Sequence, residues 1–147
     1  MKKWIAVLVA LLLVANVGIG CASVSDPSMI VSLLDSVYQD EDTIQYEFSY
    51  DETSTIYSVN ITVEGMAVVA YVAQTDDSTM KAWMKTREIL LSVGENVLGF
   101  IKTMSEDENP FVSVNLKNDQ SPDNVLFSSL NSIVVYDAAT GENLIPE

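Results

Sequence analysis

The chain has 147 residues, 48% of them hydrophobic, with 21 acidic side chains against 7 basic ones and no histidine. That is apolar material for one folded domain and too much for a disordered chain. Lys2 and Lys3 fall in an N-terminal leader, so 5 basic residues face all 21 acidic ones in the remainder, a net charge of −16 that repels nucleic acid and anionic lipid headgroups.

Met1-Lys2-Lys3 is a short basic start, Trp4 to Val17 is an apolar run without charge, and Gly18-Ile19-Gly20-Cys21-Ala22-Ser23 follows. This is the layout of an export signal: positive start, apolar middle, small residues at the cut. Val17-Gly18-Ile19-Gly20-Cys21 resembles the lipobox of bacterial lipoprotein precursors, with Gly18 standing where that family usually has Leu. The resemblance implies cleavage before Cys21, a diacyl lipid on its sulfur (palmitate is a typical chain) and a domain anchored to the cell membrane, facing away from the cytoplasm. Ordinary cleavage after Ala22, which would give a secreted protein, retention of the run as a membrane helix, and an incidental Cys21 are the competing readings. A lone cysteine in an exported chain has no disulfide partner, which favours lipidation. The organisation expected is a signal peptide over 1–20, the lipidated cysteine and a short spacer over 21–26, and one domain over 27–147.

Within the domain, Asp26-Pro27-Ser28 reads as a helix start, with Asp26 as N-cap and Pro27 at the first helical position. Ile30, Leu33, Leu34, Val37 and Tyr38 form the stripe of that helix, which ends near Gln39. Ile44, Tyr46, Phe48 and Tyr50 alternate with polar neighbours, as do Tyr57, Val59, Ile61 and Val63, giving two strands about a turn at Asp51–Ser54. Glu64-Gly65 is a turn signal, and Met66 to Ala73 is expected as a third strand. Asp77 to Met104 is a long amphipathic helix: Met80, Trp83, Met84, Arg87, Leu90, Leu91, Gly94, Val97, Leu98, Ile101 and Met104 recur at three- and four-residue steps. Gly94 lies inside the stripe, where a missing side chain lets the helix approach a sheet closely. Phe111–Leu116 is a fourth strand, Lys117 to Asn124 a loop, and Val125–Leu130 with Ile133–Asp137 a hairpin turning at Asn131-Ser132. Ala138 to Glu147 reads as a polar tail with a turn at Thr140-Gly141. The expected fold is α+β, a single domain of order α-βββ-α-βββ, an antiparallel sheet with two helices packed on one face.

Without histidine there is no Ser-His-Asp or Cys-His constellation and no usual zinc or copper site. Ser78-Thr79-Met80-Lys81 has the spacing of a Ser–Lys acylation pair, but the S-D-N and K-T-G companions are missing, so Ser78 reads as an N-cap. Asn60-Ile61-Thr62 fits a glycosylation sequon but sits where Asn60 and Thr62 would simply face solvent from a strand. Two acidic triplets, Asp40-Glu41-Asp42 and Glu106-Asp107-Glu108, each follow an expected helix. Three strands between the helices would bring both triplets to one pole, where they could hold Ca²⁺, the only cofactor the sequence suggests. Tyr46, Phe48, Tyr50 and Tyr57 crowd the first hairpin, as core or as a recognition surface if their face is uncovered. Arg87, inside the apolar stripe, is expected to snorkel or to pair with a carboxylate.

The function these observations favour is a lipid-anchored extracytoplasmic module, not an enzyme, that binds a protein or another envelope component. An inhibitor or immunity protein acting on a secreted enzyme is the second reading. A small hydrolase using two carboxylates is the third.

Overall fold

The computed structural model describes residues 26–38, 40, 42–107 and 109–144. The leader, Cys21, Glu41 and Glu108 lie outside the described residues. In chain order the elements are α1 (Pro27–Val37), β1 (Ile44–Asp51), β2 (Ile56–Val63), α2 (Met66–Ala73), α3 (Asp77–Met104), β3 (Phe111–Asn118), β4 (Ser121–Leu130), β5 (Ile133–Asp137) and β6 (Glu142–Asn143). The domain is α+β, with one six-stranded sheet in the order β1-β2-β3-β4-β5-β6. No described helix is long and apolar enough to cross a membrane.

The helix boundaries follow from local chemistry. The Asp26 carboxylate accepts the Ser28 N–H at 2.9 Å and Pro27 occupies the first turn, the start the sequence announces. The long helix also runs Asp77–Met104 as expected, but its N-cap is Asp76, which accepts the Thr79 N–H at 2.7 Å. Ser78 donates its hydroxyl to Asp76 instead of capping the helix itself.

Met66–Ala73 is a helix and not the expected third strand. The segment is apolar throughout, so alternation could be read into it, but Met66, Ala70 and Ala73 are the buried residues, at steps of four and three. Gly65 precedes it at φ +84 and has no side chain to cap it. The cap comes from the β3–β4 turn, where Asp119 accepts the N–H groups of Gly65 at 2.9 Å and Ala67 at 2.8 Å.

That helix changes the sheet. With two strands before the crossover instead of three, α2 and α3 carry the chain from β2 to a parallel β3, and the sheet is mixed, not purely antiparallel. The remaining neighbours pair antiparallel. The β4–β5 hairpin turns at Asn131 and Ser132, both left-handed at φ +45 and +64, which matches the twist of the strands it joins. The expected loop over 117–124 is shorter than anticipated, since β4 already begins at Ser121.

Both α1 and α3 cover the same sheet face. Tyr38, the C-cap of α1, packs its ring against Tyr46 and Phe48 of β1. Trp83, Leu90, Val97 and Ile101 of α3 are buried with Val59, Ile61, Val114, Leu116 and Phe127 of the sheet. At Gly94 the helix lies close to the sheet, since a Cβ there would stand 3.1 Å from Val114 Cγ2.

Candidate functional site: the uncovered face of the sheet

Strand alternation sends every second side chain to the face that no described helix covers. On β1 these are Gln45, Glu47, Ser49 and Asp51, all exposed. Their cross-strand partners are Thr62, Asn60, Ser58 and Ile56 on β2, and β3 continues the rows with Lys117, Asn115, Ser113 and Phe111. The face is therefore largely polar, built of amides, hydroxyls and the charged Glu47, Asp51 and Lys117, with Ile56 and the aromatics Phe111 and Tyr136 among them. Tyr46, Phe48, Tyr50 and Tyr57 point to the other side, under the helices, where the Tyr50 and Tyr57 rings meet with centroids 4.6 Å apart and planes tilted by 47°. They serve the core, and burial, followed by the charges of Tyr50, Asp107 and Asp26, pushes the Tyr57 hydroxyl pKa up.

One transverse row spans the sheet: Glu47, Asn60, Asn115, Ser128, Tyr136 and Asn143 stand opposite one another in sequence. Asn115 Nδ2 donates to Asn60 Oδ1 at 3.0 Å, and Ser128 Oγ donates to Asn115 Oδ1 at 2.7 Å. Asn60 Nδ2 reaches Glu47 Oε2 at a longer 3.5 Å. These hydrogen bonds orient Asn60, Asn115 and Ser128 toward one another along the row. A mostly neutral array of this kind suits ligands that present amides or hydroxyls. Asn60 of the sequon belongs to this row, half-buried among its neighbours.

Near the Val63 end of the face lies a shallow cleft of about 440 Å³ lined by Asp42, Thr43, Gln45, Thr62, Glu64 and Asp119. Three carboxylates meet the cleft, but both Asp119 oxygens already cap α2. Among the described residues no group of three or more acidic, His or Cys side chains is placed to hold a metal ion.

The described members of the two acidic triplets, Asp40 and Asp42 against Glu106 and Asp107, do not share a pole. Ile44 pairs with Val63, whereas Phe111 pairs with Ile56 at the far end of β2. The segment ending in Asp42 and the segment containing Glu106 and Asp107 therefore lead into opposite ends of the sheet, roughly 23 Å apart along a strand. The shared pole required three strands between α1 and α3, and the described residues there form two. Asp40 is occupied otherwise, accepting the Tyr46 N–H at 2.8 Å.

Arg87 finds the carboxylate its place in the stripe demands. Its Nη1 lies 3.3 Å from Asp137 Oδ2 and 2.8 Å from Glu142 Oε2. Asp137 is fully buried and also accepts Trp83 Nε1 at 2.9 Å and the Ala139 and Thr140 N–H groups at 3.0 and 3.2 Å. Sequence reading missed this buried acid, since it closes a strand and opens what looked like a polar tail. The cluster clamps α3 to the β5–β6 turn and is structural.

No family model, curated protein or solved structure matches the chain.

Proposed function

We propose that the protein is a lipid-anchored, extracytoplasmic, non-enzymatic module that binds a protein or another envelope component. The observation that carries this reading is the lipobox-like Val17–Cys21 segment, which ends five residues before the α1 N-cap Asp26. Five residues reach at most about 18 Å. The domain would ride close to the bilayer, and two acyl chains would hold it there stably where one would not. The uncovered polar face of the sheet is then the broad surface available to a ligand, since α1 and α3 occupy the other. The net charge of −16 beyond the leader disfavours direct adsorption on anionic headgroups, so the lipid and not the domain surface supplies the membrane affinity.

Fractionation of cells producing the wild-type chain and a Cys21→Ser variant tests the reading. The wild type should pellet with membranes, be extracted by detergent and be digested by protease added outside the cytoplasmic membrane. The variant should lose detergent-dependent extraction. A wild-type protein recovered in the soluble fraction would overturn the anchor.

A further inference from the structure

β1 is one edge of the sheet, and the direction of its backbone groups can be read residue by residue. Thr43 C=O accepts from Glu64 N–H at 3.1 Å, so the odd-numbered positions here turn toward β2. Tyr46 N–H points the other way, to Asp40 Oδ1 at 2.8 Å. The alternation of an antiparallel ladder then turns the N–H and C=O groups of Phe48 and Tyr50 outward as well. Asp40 plugs the first half of this edge with the chain's own carboxylate. Among the described residues no side chain does the same at Phe48 or Tyr50. The opposite edge, β6, has two residues and offers no comparable length.

The electrostatics of this edge have one sign. Lys81 is the first basic residue after Lys3, so α1, β1 and β2 contain no cation. Glu47 and Asp51 project from β1 itself, and Glu52 follows in the turn. Outward main-chain donors and acceptors select an extended polypeptide, and the carboxylates beside them select a positive one. A second copy is disfavoured, because pairing two β1 strands would bring the same carboxylates together on two polyanions.

We propose that the Phe48–Tyr50 stretch of β1 is a strand-addition site for an extended, cationic segment of a partner protein. The inference rests on the binding-module reading and names the class of partner, but it does not depend on the lipid anchor. The acidic side chains then have two consistent roles, repelling self-association and admitting a basic strand.

The test uses the full chain in detergent, wild type and Cys21→Ser in parallel, with synthetic strands of about eight alternating Lys and Thr residues as the probe. Two control peptides are the Glu–Thr counterpart and a Lys–Thr strand with alternate backbone nitrogens methylated, which keeps the charge and loses the ladder. The Lys–Thr strand should slow amide exchange at Phe48 and Tyr50 by about tenfold or more at saturation. The methylated strand should fail to do so. Glu47→Lys combined with Asp51→Lys should weaken binding of the Lys–Thr strand about tenfold and leave exchange in the core unchanged. Equal binding of the methylated strand would reduce the effect to diffuse charge attraction and overturn the proposal, as would equal binding of the Glu–Thr strand. Protection of these amides without any peptide, rising with protein concentration, would replace the partner with a second copy. If the anchor reading alone fails, the Cys21→Ser chain still gives the expected protection.

Discussion

The indole N–H of Trp83 donates to Asp137 Oδ1 across 2.9 Å, with the two residues only 1% and 0% exposed. One turn further along α3, Arg87 meets the second oxygen of the same carboxylate. Removing that acid by Asp137→Ala strands the Trp83, Ala139 and Thr140 donors and leaves Arg87 with Glu142 alone. It should cost about 3–5 kcal/mol in a urea titration. Asp137→Asn retains an oxygen for the three N–H donors and should cost less than half as much. Arg87→Met should cost about 1–3 kcal/mol, discounted because a fifth of the Arg87 side chain reaches solvent. Equal losses for Ala and Asn would mean that the charge, not the hydrogen bonds, is what the fold uses.

Two glycines of α3 should answer alanine in opposite ways. At Gly99 an added Cβ meets nothing within 4 Å, so Gly99→Ala should stabilise by about 0.5–1 kcal/mol through helix propensity. At Gly94 the same methyl stands 3.1 Å from Val114 Cγ2, which is itself fully buried. Overpacking costs about 1–3 kcal/mol, so Gly94→Ala should destabilise by roughly 1–2 kcal/mol net. Thermal unfolding of both variants reads the difference, and equal shifts would remove the close approach of helix and sheet.

Ser129 carries the buried hydroxyl that finds no hydrogen-bond partner among the described residues. Its desolvation is uncompensated, so Ser129→Ala should stabilise by about 1 kcal/mol. A loss of stability instead would show that the hydroxyl has a buried water as its partner.

Acid sensitivity has an identifiable contributor at the start of α3. Hydroxyl hydrogen bonds from Thr79 and Ser78, with the Thr79 N–H, hold the Asp76 pKa at about 2, below the ordinary 3.8. A folded-state pKa below the unfolded one adds stability that is fully present above the unfolded value and is lost as pH falls through the folded value. The denaturation midpoints of wild type and Asp76→Ala should therefore differ at neutral pH and converge between pH about 4 and about 2. A gap that stays constant through this window would assign the effect to something other than the carboxylate's charge.

The sequence revealed α1 and α3 to the residue or nearly so, because a cap, a proline and a 3.6-residue stripe each mark a helix by a separate physical signal. The first two strands and the β4–β5 hairpin were equally plain, since alternation and turn residues agree there. Met66–Ala73 was not legible. An eight-residue run with no polar residue has no face to display, and its deciding contact, the Asp119 cap, comes from 52 residues away in the chain. Misreading that segment also misplaced the acidic triplets, because their shared pole depended on counting strands. The hydrogen-bonded row across the open face was hidden for a related reason. Glu47, Asn60, Asn115 and Ser128 are ordinary solvent-side strand residues until the register aligns them.

The anchor at Cys21 carries the functional account, and the intact mass of the protein extracted from membranes tests it most directly. Beside a Cys21→Ser variant, the wild type should give residues 21–147 plus acyl chains, with the lipid mass absent from the variant. A wild-type mass beginning at Ser23 without lipid, or an uncut chain beginning at Met1, would contradict the anchored module and move the search for partners to soluble targets or to an integral membrane context.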